Sequence, residues 1–282
     1  MKGATATVHG AVSLVNAIAT GYGATLGTSL VTTARVTAVP GKGISINTRS
    51  QSSRLLNMTI CNVVPKDELR RHRISVYVTS QVPTGCGLKS SSSVSTAVAM
   101  ACSRVFNPDM SEKDMLAAGV DASIRSGVSV TGAYDDVCGC YYGGFNVTHN
   151  SRSSLVEHRR APPGLASVIF VPEHRRRRSI RNLRKMARVL NMAWKAAREG
   201  RHWEAMTMNG LAVSPVLGPD PYLLNSLLEA GALGASLSGN GPAVAAVVRA
   251  GGERDIEKVF KPLEGRTITT TINNSKAFSD GL

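Results

Sequence analysis

Aromatic residues make up only 5% of this 282-residue sequence, and charged residues only 18%. So few aromatics, none interleaved with the arginines, argue against the base-stacking platforms of single-strand nucleic-acid binders. Apolar runs are short, and none approaches the roughly 18–20 residues of a membrane-spanning helix. No membrane partner is therefore expected. The opening segment, up to Ala19, is interrupted by Thr5, Thr7, His9, Ser13 and Asn16. It lacks the unbroken apolar stretch of a signal peptide. The five cysteines, Cys61, Cys86, Cys102, Cys138 and Cys140, form no CxxC pair. A zinc site is not expected, and reduced thiols in a cytoplasmic protein are the simplest reading. The six histidines form no close cluster with metal spacing.

Acids are also scarce. Nineteen Asp+Glu stand against 33 Lys+Arg, a formal net charge of +14. Such an excess favours anionic partners, from nucleic acids to nucleotides and phosphorylated metabolites. The sharpest basic run, His174-Arg175-Arg176-Arg177-Arg178, reads more simply as a solvated loop and helix entry than as a nucleic-acid patch.

What is present suits a compact, well-buried chain: 43% hydrophobic residues and 27 glycines. The length is at the upper edge for one domain and comfortable for two. The best boundary is Arg159-Arg160-Ala161-Pro162-Pro163-Gly164, where two prolines and a glycine precede a new apolar run. It divides the chain into residues 1–160 and 161–282.

Thr28 to Val39 is rich in Thr and Val and reads as a strand. Arg73 to Ser80 alternates, with Ile74, Val76 and Val78 on one face, as a half-buried strand should. Val94, Ala97, Val98, Ala101, Cys102 and Val105 have helical spacing. Glu112 to Ser126 reads as a second helix, and Ser179 to Glu199 as a long basic one stopped by Gly200. Short strands are expected at Ala166 to Val171, Ala243 to Val248 and Arg266 to Ile272. Helices are expected at Tyr222 to Ala230 and Glu253 to Phe260. This order predicts an α+β arrangement, a small antiparallel sheet with helices on one face.

The segment Pro83-Thr84-Gly85-Cys86-Gly87-Leu88-Lys89-Ser90-Ser91-Ser92-Ser93 joins a strand to a helix. Glycines allow backbone N–H groups to turn toward a ligand. A helix start offers unsatisfied N–H donors and partial positive charge, the ordinary seat of a phosphate. Four serines add hydroxyls for phosphate oxygens and magnesium, and Lys89 adds a cation. The segment is not a Walker A motif, because Leu88 and not glycine precedes Lys89. Further along, Gly127 to Asp136 ends in adjacent acids, Asp135 and Asp136. One carboxylate of such a pair can orient or deprotonate a hydroxyl while the other binds metal or caps a helix.

Pro83, Gly87, Leu88, Ser90 and Ser91 match the phosphate-loop pattern P-x-x-x-G-L-x-S-S of the GHMP kinase superfamily, which the chain resembles. Ser238-Gly239-Asn240-Gly241-Pro242 is similar to the family's glycine-rich third motif, and His9 to Ala17 occupies the place of the first. There the chain departs, with Ala11 where many members carry a lysine. Asp136 lies seven residues before Gly143, where members with a catalytic aspartate place it. Within the superfamily the chain resembles the archaeal shikimate kinases. Asn16 to Gly21, the Cys-Gly-Leu-Lys-Ser core of the loop, Val130 to Asp136 and the Asn273-Asn274 tail carry this resemblance. Homoserine and mevalonate-pathway kinases share the second motif but not the Asn16 to Gly21 or Val130 to Asp136 stretches.

The resemblance implies a two-domain α+β fold. Its N-terminal domain would be like the second domain of ribosomal protein S5, and its C-terminal domain ferredoxin-like. It implies ATP-dependent phosphorylation of the shikimate 3-hydroxyl, with magnesium, in aromatic amino acid biosynthesis. Asp136 is then the catalytic acid–base residue and Lys89 neutralises developing charge. Residues 83–93, with Gly239 and Gly241, hold the ATP phosphates. Ser91 and then Ser92 are the expected magnesium ligands. Asn16, Thr131, Asp135, Asp136 and Arg125 are the expected shikimate contacts, Arg125 for the carboxylate. The alternatives are another GHMP kinase, such as homoserine kinase, or a non-catalytic basic nucleic-acid binder on a related fold.

Overall fold

The computed structural model describes residues 2–48, 52–129, 132–174 and 179–282. Thr131 and the Arg175–Arg178 run lie outside the described residues. In chain order the elements are β1 (Lys2–Val15), β2 (Tyr22–Pro40), β3 (Gly43–Asn47), α1 (Ser53–Val63), α2 (Lys66–Arg71) and β4 (His72–Ser80). Then come α3 (Ser90–Phe106), α4 (Glu112–Arg125), α5 (Tyr134–Tyr142), β5 (Phe145–His149), β6 (Ser154–Arg159) and β7 (Leu165–Pro172). The chain closes with α6 (Ala187–Arg198), α7 (His202–Leu217), α8 (Pro221–Glu229), β8 (Gly234–Leu237), β9 (Val244–Arg249), α9 (Glu253–Phe260), β10 (Gly265–Thr271) and β11 (Phe278–Gly281).

Two sheets result. In the first, β11, β1, β2, β4 and β3 are neighbours in that order, and β5 and β6 extend from β2. Long β2 is shared: residues from Tyr22 pair with β5, and residues from Thr32 pair with β4. Among the described residues, only β3 and β4 run parallel in it. The second sheet is antiparallel, ordered β10-β7-β9-β8. The small antiparallel sheet read from the element order is thus one of two, in keeping with the two-domain α+β fold the resemblance implied, and the last strand, β11, returns to the first sheet. On sheet membership we propose the division at residue 160, between β6 and β7.

The seam between the sheets positions the site. Along β1, Ala4, Ala6 and Val8 alternate inward, but from Gly10 to Val15 every residue is buried. There the strand lies under α3 on one side and against α6 and α7 on the other. Helix α3 is built of Ser, Ala and other small side chains, and nearly all of it is buried. Small residues let its backbone sit close to β1 and β2. The expected basic helix at Ser179 to Glu199 is broken into a 3-10 segment, Ile180–Met186, and α6.

Candidate active site

Between β4 and α3 the backbone turns through positive φ three times, at Gly85, Gly87 and Lys89. Gly87 has no room for a side chain. A Cβ there would lie 1.9 Å from the Ser238 carbonyl oxygen. Ser238 Oγ donates to Gly87 O at 2.8 Å, and Ala243 N–H donates to Cys86 O at 3.1 Å. The glycine-rich turn 238–242 is therefore clamped onto the Pro83–Ser93 loop. Cys86 and Leu88 are buried in the core beneath and anchor the loop. Ser93 also faces inward, donating to Ser90 O and bonding Thr32 Oγ1.

Of the loop residues, Gly85, Gly87, Lys89, Ser90, Ser91 and Ser92 line a cleft of about 220 Å³. Pro83, Thr84, Cys86, Leu88 and Ser93 support it from outside. In the glycine-rich turn Gly239 faces the cleft, whereas Gly241 shapes the turn through its N–H to Ser238 O at 2.9 Å.

Lys89 is the N-cap of α3 and adopts a left-handed conformation at φ 68°. For a lysine this costs about 1 kcal/mol or more. The return is placement. Nζ reaches Asp136 Oδ1 at 2.7 Å and Ser13 Oγ at 2.7 Å, with the lysine side chain only 3% exposed. Burial works against its charge, but Asp136 and Asp135 more than offset this and raise its pKa above the usual lysine value. Lys89 is charged at neutral pH and is the only cation on the cleft wall among the described residues. Asp136 Oδ2 has no protein partner among the described residues.

The two acids stand in the first turn of α5, after Ala133 at φ 51°. Asp135 is buried. Its carboxylate accepts from Asn150 Nδ2 at 2.6 Å, its N–H donates to Asn150 Oδ1, and Thr25 Oγ1 donates to its carbonyl. Burial and the neighbouring Asp136 charge push its carboxyl up to about 7. The unfolded carboxyl has the ordinary value of 3.8. Between these values the folded chain holds a proton that the unfolded chain has lost, so stability falls as pH rises. Asp135→Asn removes that slope. In urea unfolding, the variant's stability relative to wild type should improve from pH 5 to pH 8. A constant difference between the two chains would contradict the assignment.

Asn16 is on the cleft wall, but its amide is occupied. Nδ2 donates to Gly239 O at 2.8 Å and Asn240 Oδ1 at 3.3 Å, and Oδ1 accepts from Ile18 N–H. Its N–H donates to Asn209 Oδ1 at 2.8 Å. Asn16 thus braces β1 against the glycine-rich turn. Arg125 is not brought to the cleft. Its guanidinium is exposed on α4, 3.2 Å from Asp121, because one helical turn links the two residues more closely than chain proximity links Arg125 to Asp135. The sequence reading missed Asn150, Asn209 and Ser13. Each owes its place to a contact far along the chain, with no local pattern to mark it.

The geometry has the parts that phosphoryl transfer needs: a glycine-rich anion loop at a helix start, a buried cation and a carboxylate with one open oxygen. Residues 57–144 match the GHMP kinases N terminal domain family. A shikimate kinase of Methanothermobacter thermautotrophicus is 32% identical over 273 residues, covering 94% of this chain and 94% of its own. One from Methanosarcina acetivorans is 33% identical over 283 residues, covering 97% of this chain and 95% of its own. Among solved structures, homoserine kinase from Cytophaga hutchinsonii superposes with a TM-score of 0.74 at 18% identity, over 98% of this chain and 97% of that one. That likeness concerns the fold. With relatives at this identity along nearly its whole length, the chain belongs to the shikimate kinase family of the GHMP kinases.

Proposed function

We propose that the enzyme transfers the γ-phosphoryl group of ATP to the 3-hydroxyl of shikimate. The observation that carries this is the Lys89–Asp136 pair, 2.7 Å apart at the end of the phosphate loop. The Gly85–Ser92 backbone and the first turn of α3 hold the β- and γ-phosphates. Asp136 Oδ2 orients the 3-hydroxyl and takes its proton as the oxygen attacks the γ-phosphorus. The bond to the β–γ bridging oxygen breaks and ADP departs. Lys89 faces the charge that builds on the transferring group. Asp136 cannot leave its position, because Lys89 holds its other oxygen.

The Ser92 hydroxyl lines the cleft with no partner among the described residues, and Ser91 stands beside it. Two hydroxyls suit a hard cation that keeps most of its shell as water and phosphate oxygen. When bound, magnesium neutralises charge on the β- and γ-phosphates. Our reading also places the chain in the cytoplasm, supported by five free cysteines. No helix among the described residues is long and apolar enough to cross a membrane.

An ADP-release assay with ATP and magnesium, run separately with shikimate, homoserine and mevalonate, tests the proposal. Turnover should be confined to shikimate, with the product's phosphate on the 3-hydroxyl by phosphorus-31 and proton NMR. Turnover only with homoserine or mevalonate would reject the substrate and leave the fold standing.

A further inference from the structure

Ser13 belongs to β1, and its hydroxyl is the point where three parts of the cleft meet. The residue is 1% exposed, yet it lines the cleft. Its Oγ accepts from Lys89 Nζ at 2.7 Å and from Gly239 N–H at 2.9 Å. A serine hydroxyl has two acceptor lone pairs and one donor. Both lone pairs are taken, so the O–H is directed away from both donors. It finds no acceptor among the described residues, and the open side is the cleft. A buried donor left without an acceptor is costly, so a site that keeps one is built for a ligand atom.

The character of that atom follows from the electrostatics. An ammonium and a backbone N–H both draw charge from the Ser13 oxygen, which makes its hydrogen a stronger donor. Such a donor prefers an anionic oxygen. Its neighbours fix the place as the junction between the phosphate loop and the Lys89–Asp136 pair, where the group in transit sits. Ser13 also shares a strand face with Ala11, two residues earlier. Ala11 is buried, and a Cβ added at Gly139 of α5 would lie 2.9 Å from Ala11 Cβ. Alanine supplies no cation there, and the cation at the cleft comes instead from Lys89, held by Ser13.

We propose that Ser13 is a catalytic residue whose hydroxyl donates to a non-bridging oxygen of the phosphoryl group during transfer. This rests on the cleft being the ATP-dependent transfer site. The test uses Ser13→Ala and Ser13→Cys in the full chain. Cysteine keeps the bulk but donates weakly. Calorimetry would measure affinity for magnesium ADP alone, and for magnesium ADP with aluminium fluoride and the alcohol substrate.

With alanine, kcat should fall by about 10- to 100-fold while KM for ATP changes less than about threefold. Affinity for ADP should hold and that for the aluminium fluoride complex should fall by a comparable factor, with the Cys variant in between. Equal weakening of both complexes would reduce Ser13 to a structural brace, and full kcat in either variant would overturn the proposal. Should Ser13→Ala not fold, the Cys variant carries both readouts. If wild type phosphorylates a different alcohol, the substrate assignment fails and the Ser13 comparison is made with that alcohol. If wild type binds no magnesium ADP, both fail.

Discussion

Asp136→Asn should lower kcat by about 10²–10⁴-fold while leaving ATP affinity within an order of magnitude of wild type. The amide keeps the shape of the side chain and can still accept from Lys89, but it cannot take the hydroxyl proton. The fold should survive, because Lys89 is left with a second acid. Asp135 is driven up to about 7 in part by the Asp136 charge. Once that charge is gone, Asp135 ionises more readily and becomes the counterion of Lys89. Breaking a buried pair ordinarily costs about 3–5 kcal/mol, and this substitution should cost less. Steady-state kinetics with a parallel urea melt measure both effects. Near-normal turnover in Asp136→Asn or Asp136→Ala would remove Asp136 from the catalytic role.

Gly87→Ala should abolish activity and destabilise the fold by more than about 3 kcal/mol, the range reached when backbone must move or strain accumulates. Two independent causes act together. Alanine resists φ +80°, and its Cβ would lie 1.9 Å from the Ser238 carbonyl oxygen, which is backbone and cannot swing aside. Relief requires separating the phosphate loop from the glycine-rich turn. That breaks Ser238 Oγ–Gly87 O and frees Gly239 from Ser13, so the cleft opens even where the chain still folds. Circular dichroism melts and ATP binding report the two parts. Wild-type binding in a folded Gly87→Ala chain would show that the clamp between the two loops is unimportant.

How far the sequence foretold this arrangement depends on which faces each element buries. Strand β4 was legible because Ile74, Val76 and Val78 face the core and Tyr77 faces solvent. Helix α3 was legible from its small and apolar spacing. The Gly10–Val15 half of β1 was not, since burial on both faces removes the alternation. The 16-residue α7 was missed for a related reason. It packs against β1 on one side and β8 on another, with His202, Asn209 and Ser214 among its buried residues. No polar stripe marks its period. The helix carrying the α5 acids was not read from the sequence, because Gly132 and Gly143 flank it, and only three dimensions show Ala133 capping a helix between them.

In the site, loop motif and acid pair were visible in the chain, but the contact between Lys89 and Asp136 was not. Motif spacing names residues and says nothing of which atoms meet. Arg125 shows the converse: near Asp135 in sequence, it is turned to Asp121 and Asn62 on the outer surface of α4. Ser13, Asn150 and Asn209 carry polar side chains at positions with no local signature. Their roles arise from partners up to 226 residues away, as with Ser13 and Gly239.

The most direct measurement of the account is the position of shikimate in a crystal structure of the complex with ADP, magnesium and aluminium fluoride. The 3-hydroxyl oxygen should lie within hydrogen-bond distance of Asp136 Oδ2, in line with the aluminium and the departing ADP oxygen. Lys89 Nζ should contact the fluoride plane, and the phosphates should lie along Gly85–Ser92. Shikimate bound with its 3-hydroxyl remote from Asp136, or phosphates seated elsewhere than on the start of α3, would contradict it.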